Sequence, residues 1–370
     1  MVERPLRVLL VAAETTGGIG RHVGLLAERL PAHDLRVSVA GPRSALDVVA
    51  GTPNIATYDV PVGSFAGARR ALRELVGEVD VIHAHGLRAG VLAASARGRS
   101  SARLVVTWHN APLVSGRRLV AHRVASAYAA RRADVTLGAS PDLTAAARRA
   151  GARDARDTFV VAPPTGSAAR TGTVVRAELG VGVRPVILAV GRLQAQKRLD
   201  VLVDAASRWA GQPGGPVVVI AGSGPDEVAL RARADASGAD VRLLGARTDV
   251  ADLMAAADVV ALPSAWEARS LVAQEALRTG VPLVTTPVGG LPELVGEAAL
   301  LVPVGDAPAL GAALDRLLAD AELRRQLVDL GRARAAEWPT VEDAVASLAS
   351  AYAEIAGRDP ARNRDDGGAS

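Results

Sequence analysis

The 370-residue sequence has no cysteine and few aromatic residues: four Trp, three Tyr and two Phe. Without cysteine, the chain has neither disulfide bonds nor metal sites built on thiolates. With so few aromatic side chains, a hydrophobic core must consist of Val, Leu, Ile and Ala, and hydrophobic residues make up 49% of the sequence. This length and composition are sufficient for two domains with aliphatic cores.

Long hydrophobic runs are also missing. No run approaches the roughly 20 apolar residues that a membrane-spanning helix needs, and the run at residues 8–13 is too short for the core of a signal peptide. The formal net charge is only +4, without the basic clusters and interleaved aromatics typical of nucleic-acid binders. These features predict a soluble, cytoplasmic protein that does not bind nucleic acid.

Short apolar runs alternate with amphipathic stretches along most of the chain. Predicted strands cover residues 7–12, 36–40, 79–83, 103–107 and 134–138, with helices between them. A stretch rich in Pro, Gly and Ser follows at 162–168 and is typical of a linker. Further strands are predicted at 185–190, 216–221, 241–244, 258–262, 282–286 and 299–302. This alternation predicts an α/β fold of two doubly wound, Rossmann-like domains whose strand ends face a cleft.

The expected domains are residues 1–164 and 165–340. Three helices are predicted to close the fold, at 308–319, 321–338 and 341–355. The tail 357–370 is polar and charged without an apolar face, so we expect it to be disordered.

The stretch from Leu262 to Gly280 predicts a binding loop followed by a short helix. Ser270 is an N-cap residue type, and Gly280 stands where a left-handed residue would end the helix. Glu267 in the loop and Glu275 on the second turn can face one pocket. A helix N-terminus binds phosphate through its free N–H groups, so the pocket suits a sugar nucleotide. Alternatively, both glutamates are solvated charges, since Glu is mostly exposed.

Two cations follow the first strand of the second domain. Arg192 and Lys197 lie in the loop 191–198, and the fold places this loop near the helix N-terminus at Ser270. Fixed cations beside a helix N-terminus predict a diphosphate site.

In the first domain, a glycine-rich loop at 14–20 separates a strand from a helix, which is a phosphate-cradling arrangement. Gly17, Gly18 and Gly20 do not have the Gly-x-Gly-x-x-Gly spacing of a dinucleotide site, which disfavours an NAD-dependent dehydrogenase.

Three histidines fall at predicted strand ends of this domain, where ligands bind in such sheets. They are His83, His85 and His109. A histidine at a strand end is more often structural. His109 is the better functional candidate, because it leads directly into a loop.

Taken in order, these motifs resemble those of the retaining GT4-type glycosyltransferases, which have the two-domain GT-B fold. The resemblance covers about residues 6–355, and its most specific piece is the pair Glu267 and Glu275 with seven residues between them. The other pieces are Thr16-Gly17-Gly18-Ile19-Gly20-Arg21-His22-Val23, Asp80-Val81-Ile82-His83-Ala84-His85, Thr107-Trp108-His109-Asn110, Gly191-Arg192-Leu193 with Lys197, Gly222-Ser223-Gly224-Pro225, Leu244-Gly245 and Thr286-Pro287-Val288-Gly289-Gly290-Leu291-Pro292-Glu293.

The resemblance implies a role for each matching residue. Arg192 and Lys197 would neutralise the leaving diphosphate. Glu275 would bond the ribose hydroxyls, Glu267 would hold a hydroxyl of the donor sugar, and His109 would lie against that sugar near its anomeric carbon. The other implied donor-binding positions are Gly18, Arg247 near the base, and the backbone N–H groups of Ser270, Leu271 and Val272. The first domain would bind the acceptor, and the last helix, about 341–356, would pack on it.

One segment departs from the family pattern. Ala268-Arg269-Ser270 stands where family members usually have Gly-Phe-Gly. Arg269 could pair with a carboxylate on an acidic donor sugar, but we expect it to point to solvent. The sequence leaves the nucleotide base, UDP or GDP, open, together with the sugar and the acceptor.

The function implied is transfer of a sugar from a nucleoside-diphosphate donor to a hydroxyl of a small molecule, lipid or glycan, with retention of configuration. The chain has no Asp-x-Asp pair, so no metal or other cofactor is expected. Two alternatives stay open on the same fold: a nucleotide-sugar 2-epimerase and a non-catalytic nucleotide-sugar-binding protein.

Basic amphipathic segments at 67–76 and 117–123 could rest on an anionic membrane surface. The alternative, which the sequence favours, is that both are ordinary solvated helix faces.

Overall fold

The computed structural model describes residues 4–13, 18–61, 63–162 and 168–358. Three predictions therefore fall wholly or largely outside the described residues. These are the glycine loop up to Gly17, the linker at 163–167 and the tail from residue 359. The chain divides into two compact units: unit 1 is Met1–Pro163 with Pro339–Ser370, and unit 2 is Pro164–Trp338.

Unit 1 is built on a parallel sheet, flanked by helices, with the strand order β3-β2-β1-β4-β5-β6-β7. Buried Val and Leu residues of the central strands form its core. Its strands are Leu6–Ala12 (β1), Leu35–Gly41 (β2), Ala56–Asp59 (β3), Val81–His85 (β4), Arg103–Trp108 (β5), Val135–Gly138 (β6) and Ala155–Asp157 (β7). Its helices up to residue 162 are Gly18–Arg29 (α1), Arg43–Leu46 (α2), Phe65–Leu75 (α3), Leu87–Arg97 (α4), Gly116–Arg132 (α5) and Pro141–Arg149 (α6), with 3-10 turns at Leu30–His33 and Asp47–Val49.

Unit 2 repeats this topology in a sheet of order β10-β9-β8-β11-β12-β13. Its strands are Val186–Val190 (β8), Val217–Ala221 (β9), Val241–Leu243 (β10), Val259–Leu262 (β11), Leu283–Thr285 (β12) and Ala299–Leu301 (β13). Its helices are Gly172–Glu178 (α7), Leu199–Ala206 (α8), Glu227–Ser237 (α9), Val250–Ala256 (α10), Leu271–Thr279 (α11), Leu291–Val295 (α12), Ala307–Ala319 (α13) and Ala321–Ala336 (α14), with 3-10 turns at Ala195–Lys197 and Ser207–Trp209.

The last helix of the chain, Val341–Ile355 (α15), belongs to unit 1. The Thr340 hydroxyl and the Asp343 carboxylate cap its first turn reciprocally. Its buried side chains Val341, Val345, Leu348 and Tyr352 are part of the core that contains β1 and α1. Unit 1 is therefore made of two segments that lie far apart in the sequence.

Several predicted elements need correction. Strand β4 begins two residues later than predicted, because Asp80 lies before it and its carboxylate accepts the backbone N–H of Arg7 at 2.9 Å. His83 is consequently inside the strand and not after its end. The edge strands β3 and β7 and the helices α2, α7 and α12 were not predicted. Gly357 and Arg358, expected to be disordered, are ordered, and the Arg358 guanidinium donates to the Arg4 carbonyl at 2.6 Å.

No helix in the described part of the chain is both long and apolar enough to cross a membrane.

Candidate active site

In unit 2, the predicted donor-site residues follow two strands at the centre of the sheet. Strands β8 and β11 are neighbours, and the strand order reverses between them. Ligands of doubly wound sheets bind at this switch point, outside the carboxyl ends of the strands. Arg192 and Lys197 follow β8, whereas Glu267 and Ser270 follow β11.

The helix predicted after Ser270 is confirmed. The Ser270 hydroxyl accepts the backbone N–H of Ala273 at 3.4 Å, and Gly280 ends the helix with φ 77°. Leu271 and Val272 form the first turn of α11, as required for the phosphate-binding role that the resemblance implies. Glu275 lies one turn further along and is 1% exposed.

Both glutamates are buried, so the alternative that they are solvated charges is wrong. One oxygen of Glu267 (Oε1) accepts the Lys197 ammonium at 2.6 Å and the Ser264 hydroxyl at 2.7 Å. A buried carboxylate in this setting needs such partners, because desolvation otherwise penalises its charge. The sequence predicted roles for Lys197 and Glu267 but did not predict that they form an ion pair.

Lys197 is the only lysine in the sequence; the remaining basic residues among the 43 Lys and Arg are arginines. Its stem packs over Gly191, where a Cβ would lie 3.3 Å from Lys197 Cε. Arg and Lys differ in shape, hydration and donor geometry. The side chain of this single lysine is 16% exposed, and its compact ammonium is paired with the buried Glu267 carboxylate.

The loops that carry these residues are bonded to one another. The Ala265 N–H donates to the Gln196 carbonyl at 2.8 Å, and the Gln196 amide donates to the Trp266 carbonyl at 2.8 Å. Gly289 has φ 54°, and a Cβ there would lie 1.9 Å from the Glu267 carbonyl oxygen. Only glycine tolerates this approach, so the loop after β12 helps to fix Glu267.

The predicted arginines have different surroundings. Arg192 is exposed in the loop directly after β8. Arg247 donates to Asp249 at 2.8 Å, and this contact lowers the pKa of the Asp249 carboxyl to about 2. The expectation that Arg269 points to solvent is wrong: its side chain is only 7% exposed and pairs with Glu293 at 3.0 Å. The buried guanidinium therefore already has a carboxylate beside it.

In unit 1, histidines gather at the corresponding switch point, between β1 and β4. His85 is the last residue of β4, His109 directly follows β5, and His22 comes from α1. The centres of these three rings lie 5.5–5.7 Å apart. We call them the imidazole cluster. Gly18, predicted to bind the donor, is the first residue of α1.

Burial keeps the imidazole cluster neutral. It lowers the pKa of His22 to about 4, and it holds the pKa values of His85 and His109 well below the usual range. Buried His83 beside them is held by Tyr352 and Thr107, each at 2.6 Å. The sequence predicts no role for His22, and the contact of Tyr352 with His83 spans 269 positions. No local sequence pattern indicates that His22 joins the cluster or that Tyr352 bonds to His83.

Within the described ranges, no group of three His, Asp or Glu side chains could hold a metal ion. The expectation that the protein uses no metal stays a prediction.

Two family models match the sequence. One, described as glycosyl transferases group 1, covers residues 184–320, and the other, a glycosyl transferase 4-like domain, covers residues 17–164. A D-inositol 3-phosphate glycosyltransferase of Xylanimonas cellulosilytica is 30% identical over 94% of each chain. A protein of the same name from Nocardia farcinica is 29% identical over 92% of this chain and 81% of its own.

Solved structures show the same architecture. The HepE protein of Anabaena in complex with UDP and glucose superimposes with a TM-score of 0.80 at 22% identity, over 94% of this chain and 99% of its own. The sucrose-phosphate synthase of Thermosynechococcus elongatus gives a TM-score of 0.77 at 22% identity, over 95% and 99%. The predicted GT-B fold is confirmed.

Proposed function

Because this chain belongs to the group 1 glycosyl transferases, the GT4-type family with the GT-B fold, we propose that it transfers a sugar from a nucleoside-diphosphate donor to an acceptor hydroxyl, with retention of configuration and without a divalent metal. The observation that carries the donor site is the ion pair of Lys197 with the buried carboxylate of Glu267, which lies three residues before the N-cap of α11. A UDP-sugar is the first donor to test, since the similar HepE structure contains UDP and glucose.

In the proposed reaction, the bond between the anomeric carbon and the diphosphate oxygen breaks, and the diphosphate leaves with the electron pair. The acceptor oxygen bonds to the same face of the sugar, and its proton passes to the leaving phosphate. Lys197, Arg192 and the N-terminus of α11 stabilise the charge that develops on the leaving group. Glu267 is engaged by Lys197 and Ser264, which favours a positioning role over nucleophilic attack.

The same cations are the reason to propose a metal-independent reaction. Glycosyltransferases that use a metal need it to offset the diphosphate, and here protein cations supply that charge. Activity in excess EDTA after dialysis tests the proposal. Loss of activity that magnesium or manganese restores would contradict it.

The single lysine allows a direct test of the donor site. An amine-reactive reagent can modify only Lys197 and the terminal amine, because the sequence has no other lysine. We expect UDP or GDP to protect Lys197, measured by peptide mass spectrometry, while the terminal amine reacts at an unchanged rate. Equal modification of Lys197 with and without either nucleotide would contradict the assignment.

Incubation with a panel of nucleotide sugars and acceptors identifies the substrates and separates the alternatives. An inositol phosphate belongs in the panel, since similar proteins are named for it. A transferase consumes the acceptor, a 2-epimerase converts the donor alone, and a binding protein does neither.

We propose that His109 lies beside the transferred sugar and that Glu275 bonds the ribose hydroxyls. Because nucleotide sugars are cytoplasmic metabolites, we also propose a cytoplasmic location.

We further propose that unit 1 touches an anionic lipid surface through α5. Val120 and Val124 on this helix are 60% and 65% exposed, and Arg117, Arg118 and Arg123 beside them are exposed as well. Residues 81–133 contain nine arginines and no Asp or Glu. Exposed aliphatic side chains beside exposed arginines are typical of surfaces that bind anionic lipid.

A further inference from the structure

Two histidines of the imidazole cluster are hydrogen-bonded to each other through one nitrogen of each ring. The position of the hydrogen on each ring remains to be assigned. Nδ1 of His85 lies 3.2 Å from Nε2 of His109. A neutral imidazole has one N–H donor and one acceptor nitrogen, so one of these two rings must donate and the other accept. The ring nitrogen of His109 that this bond leaves available to a ligand is Nδ1.

The surroundings of His85 decide which ring donates. Its other nitrogen, Nε2, is buried and has no hydrogen-bond partner among the residues that the structure describes. If His109 were the donor, the hydrogen of His85 would sit on Nε2 as a buried N–H without an acceptor. Such a group carries the full desolvation penalty of an unmade hydrogen bond, and orphaned N–H donors are rarer in proteins than under-used acceptors. The hydrogen of His85 is therefore assigned to Nδ1.

Among the residues that the structure describes, the groups around the pair carry no charge that would change this assignment. The rings in contact with the pair are His22 from α1 and His83 from β4, and His83 is in turn bonded to Tyr352 from α15 and Thr107 from β5. These four groups carry no carboxylate. Burial lowers the pKa values of His85 and His109 well below the usual range, so both rings stay neutral near pH 7.

We propose that His85 is a positioning residue that donates from Nδ1 to Nε2 of His109 and thereby fixes the His109 hydrogen on Nδ1. His109 then meets a ligand as a neutral N–H donor. It cannot serve as a general base through Nε2, because that lone pair is occupied. Under the proposed function, a sugar oxygen accepts this Nδ1–H, and only the identity of that acceptor rests on the proposed function.

The tautomer can be measured without any substrate. In protein labelled with ¹⁵N-histidine, long-range ¹H–¹⁵N correlation spectra distinguish a ring protonated on Nδ1 from one protonated on Nε2. We expect the Nδ1–H pattern for both His85 and His109 in the unmodified protein at pH 7. An Nε2–H pattern for His109 would overturn the proposal.

Two substitutions sharpen the measurement. His85→Asn places an amide N–H close to the position of Nδ1, so His109 should keep its Nδ1–H pattern. His85→Leu removes the donor at similar volume, so His109 should gain Nε2–H character. His122, on α5 and outside the cluster, should be unchanged in both variants. If His85→Leu fails to fold, the wild-type and His85→Asn spectra still decide. An unchanged His109 pattern in a folded His85→Leu would contradict the proposal.

Kinetics then tests the functional consequence. We expect His85→Leu to lower kcat by about tenfold or more, with little change in the donor KM, and His85→Asn to restore most of it. Equal losses in both variants would indicate a structural role and overturn the positioning role. If no donor and acceptor pair supports turnover even in the unmodified protein, the proposed function fails, whereas the tautomer measurement still stands or falls by itself.

Discussion

The two units have the same strand order around their switch points, but they place different chemistry there. Unit 2 presents charge: a lysine whose side chain is 16% exposed, two buried glutamates and an exposed arginine. Unit 1 presents neutral imidazoles, and all six histidines of the chain lie within it. Fixed charges suit a ligand whose own charge changes during the reaction. Neutral donors and acceptors suit hydroxyl groups. Under the proposed function, the charges of unit 2 would act on the leaving group and the imidazoles of unit 1 on uncharged sugar oxygens.

The largest expected effect is that acidification lowers the stability of unit 1 more than that of unit 2. The pKa values of His22 and His83 are lowered to about 4 and about 3, chiefly by burial, whereas in the unfolded chain they return to about 6.5. Between these values the unfolded state binds more protons, so stability is complete above pH 6.5 and falls as the pH falls. At pH 5 each of the two histidines costs about 2 kcal/mol of unit 1 stability, and His85 and His109 act in the same direction.

Hydrogen exchange measured peptide by peptide at pH 7 and pH 5, corrected for intrinsic rates, tests this prediction. Unit 2 has no histidine, and arginine contacts hold the pKa of Asp240 and of Asp249 near 2. Its protection should change little. A larger loss of protection at pH 5 in unit 2 than in unit 1 would contradict the prediction.

Lys197 should matter more for turnover than any other cation of unit 2. Lys197→Ala removes a group that stabilises leaving-group charge and leaves Glu267 buried without its ammonium, so we expect kcat to fall about 10²- to 10³-fold. Lys197→Arg should recover little, because the stem packs against Gly191. Steady-state kinetics provides the measurement, with Arg325→Ala on the exposed face of α14 as a control that leaves kcat unchanged. A fully active Lys197→Arg would show that the site needs charge alone.

Glu275 tests whether unit 2 also reads the uncharged part of the nucleotide. If its carboxylate accepts ribose hydroxyls, Glu275→Ala should weaken binding of the nucleoside diphosphate by about 1.5–3 kcal/mol. Glu275→Gln should lose less, since an amide oxygen still accepts. Calorimetric titration with the nucleoside diphosphate gives the difference, and unchanged affinity in Glu275→Ala would remove this role.

The smallest expected effect concerns the outer face of unit 1. Val120→Glu with Val124→Glu should reduce sedimentation with anionic vesicles at low salt, because each change removes apolar area and adds repulsion. Val183→Glu with Val228→Glu is the matched control, since both valines are highly exposed in unit 2. Equal binding by the two double variants, or no binding by the unmodified protein, would end the membrane proposal.

Local sequence signals predicted the regular elements well. The central strands are continuous apolar runs, and Ser270 and Gly280 marked the two ends of α11. The missed edge strands lack such a run: all four residues of β3 are exposed, and β7 has only three residues, none of them buried. The Lys197–Glu267 pair and the His83–Tyr352 bond were also missed. Each joins residues 70 or more positions apart, so only the tertiary fold determines them.

The placement of α15 has a consequence for the order in which the nascent chain folds. Unit 1 lacks Tyr352, the partner of His83, until the ribosome has added about 190 residues beyond the first segment. At about 5–20 residues per second this takes roughly 10–40 s. Unit 2 is continuous and needs no later segment. A chain stalled on the ribosome after unit 2 should therefore carry a folded second unit and an incomplete first one, the reverse of the order of synthesis.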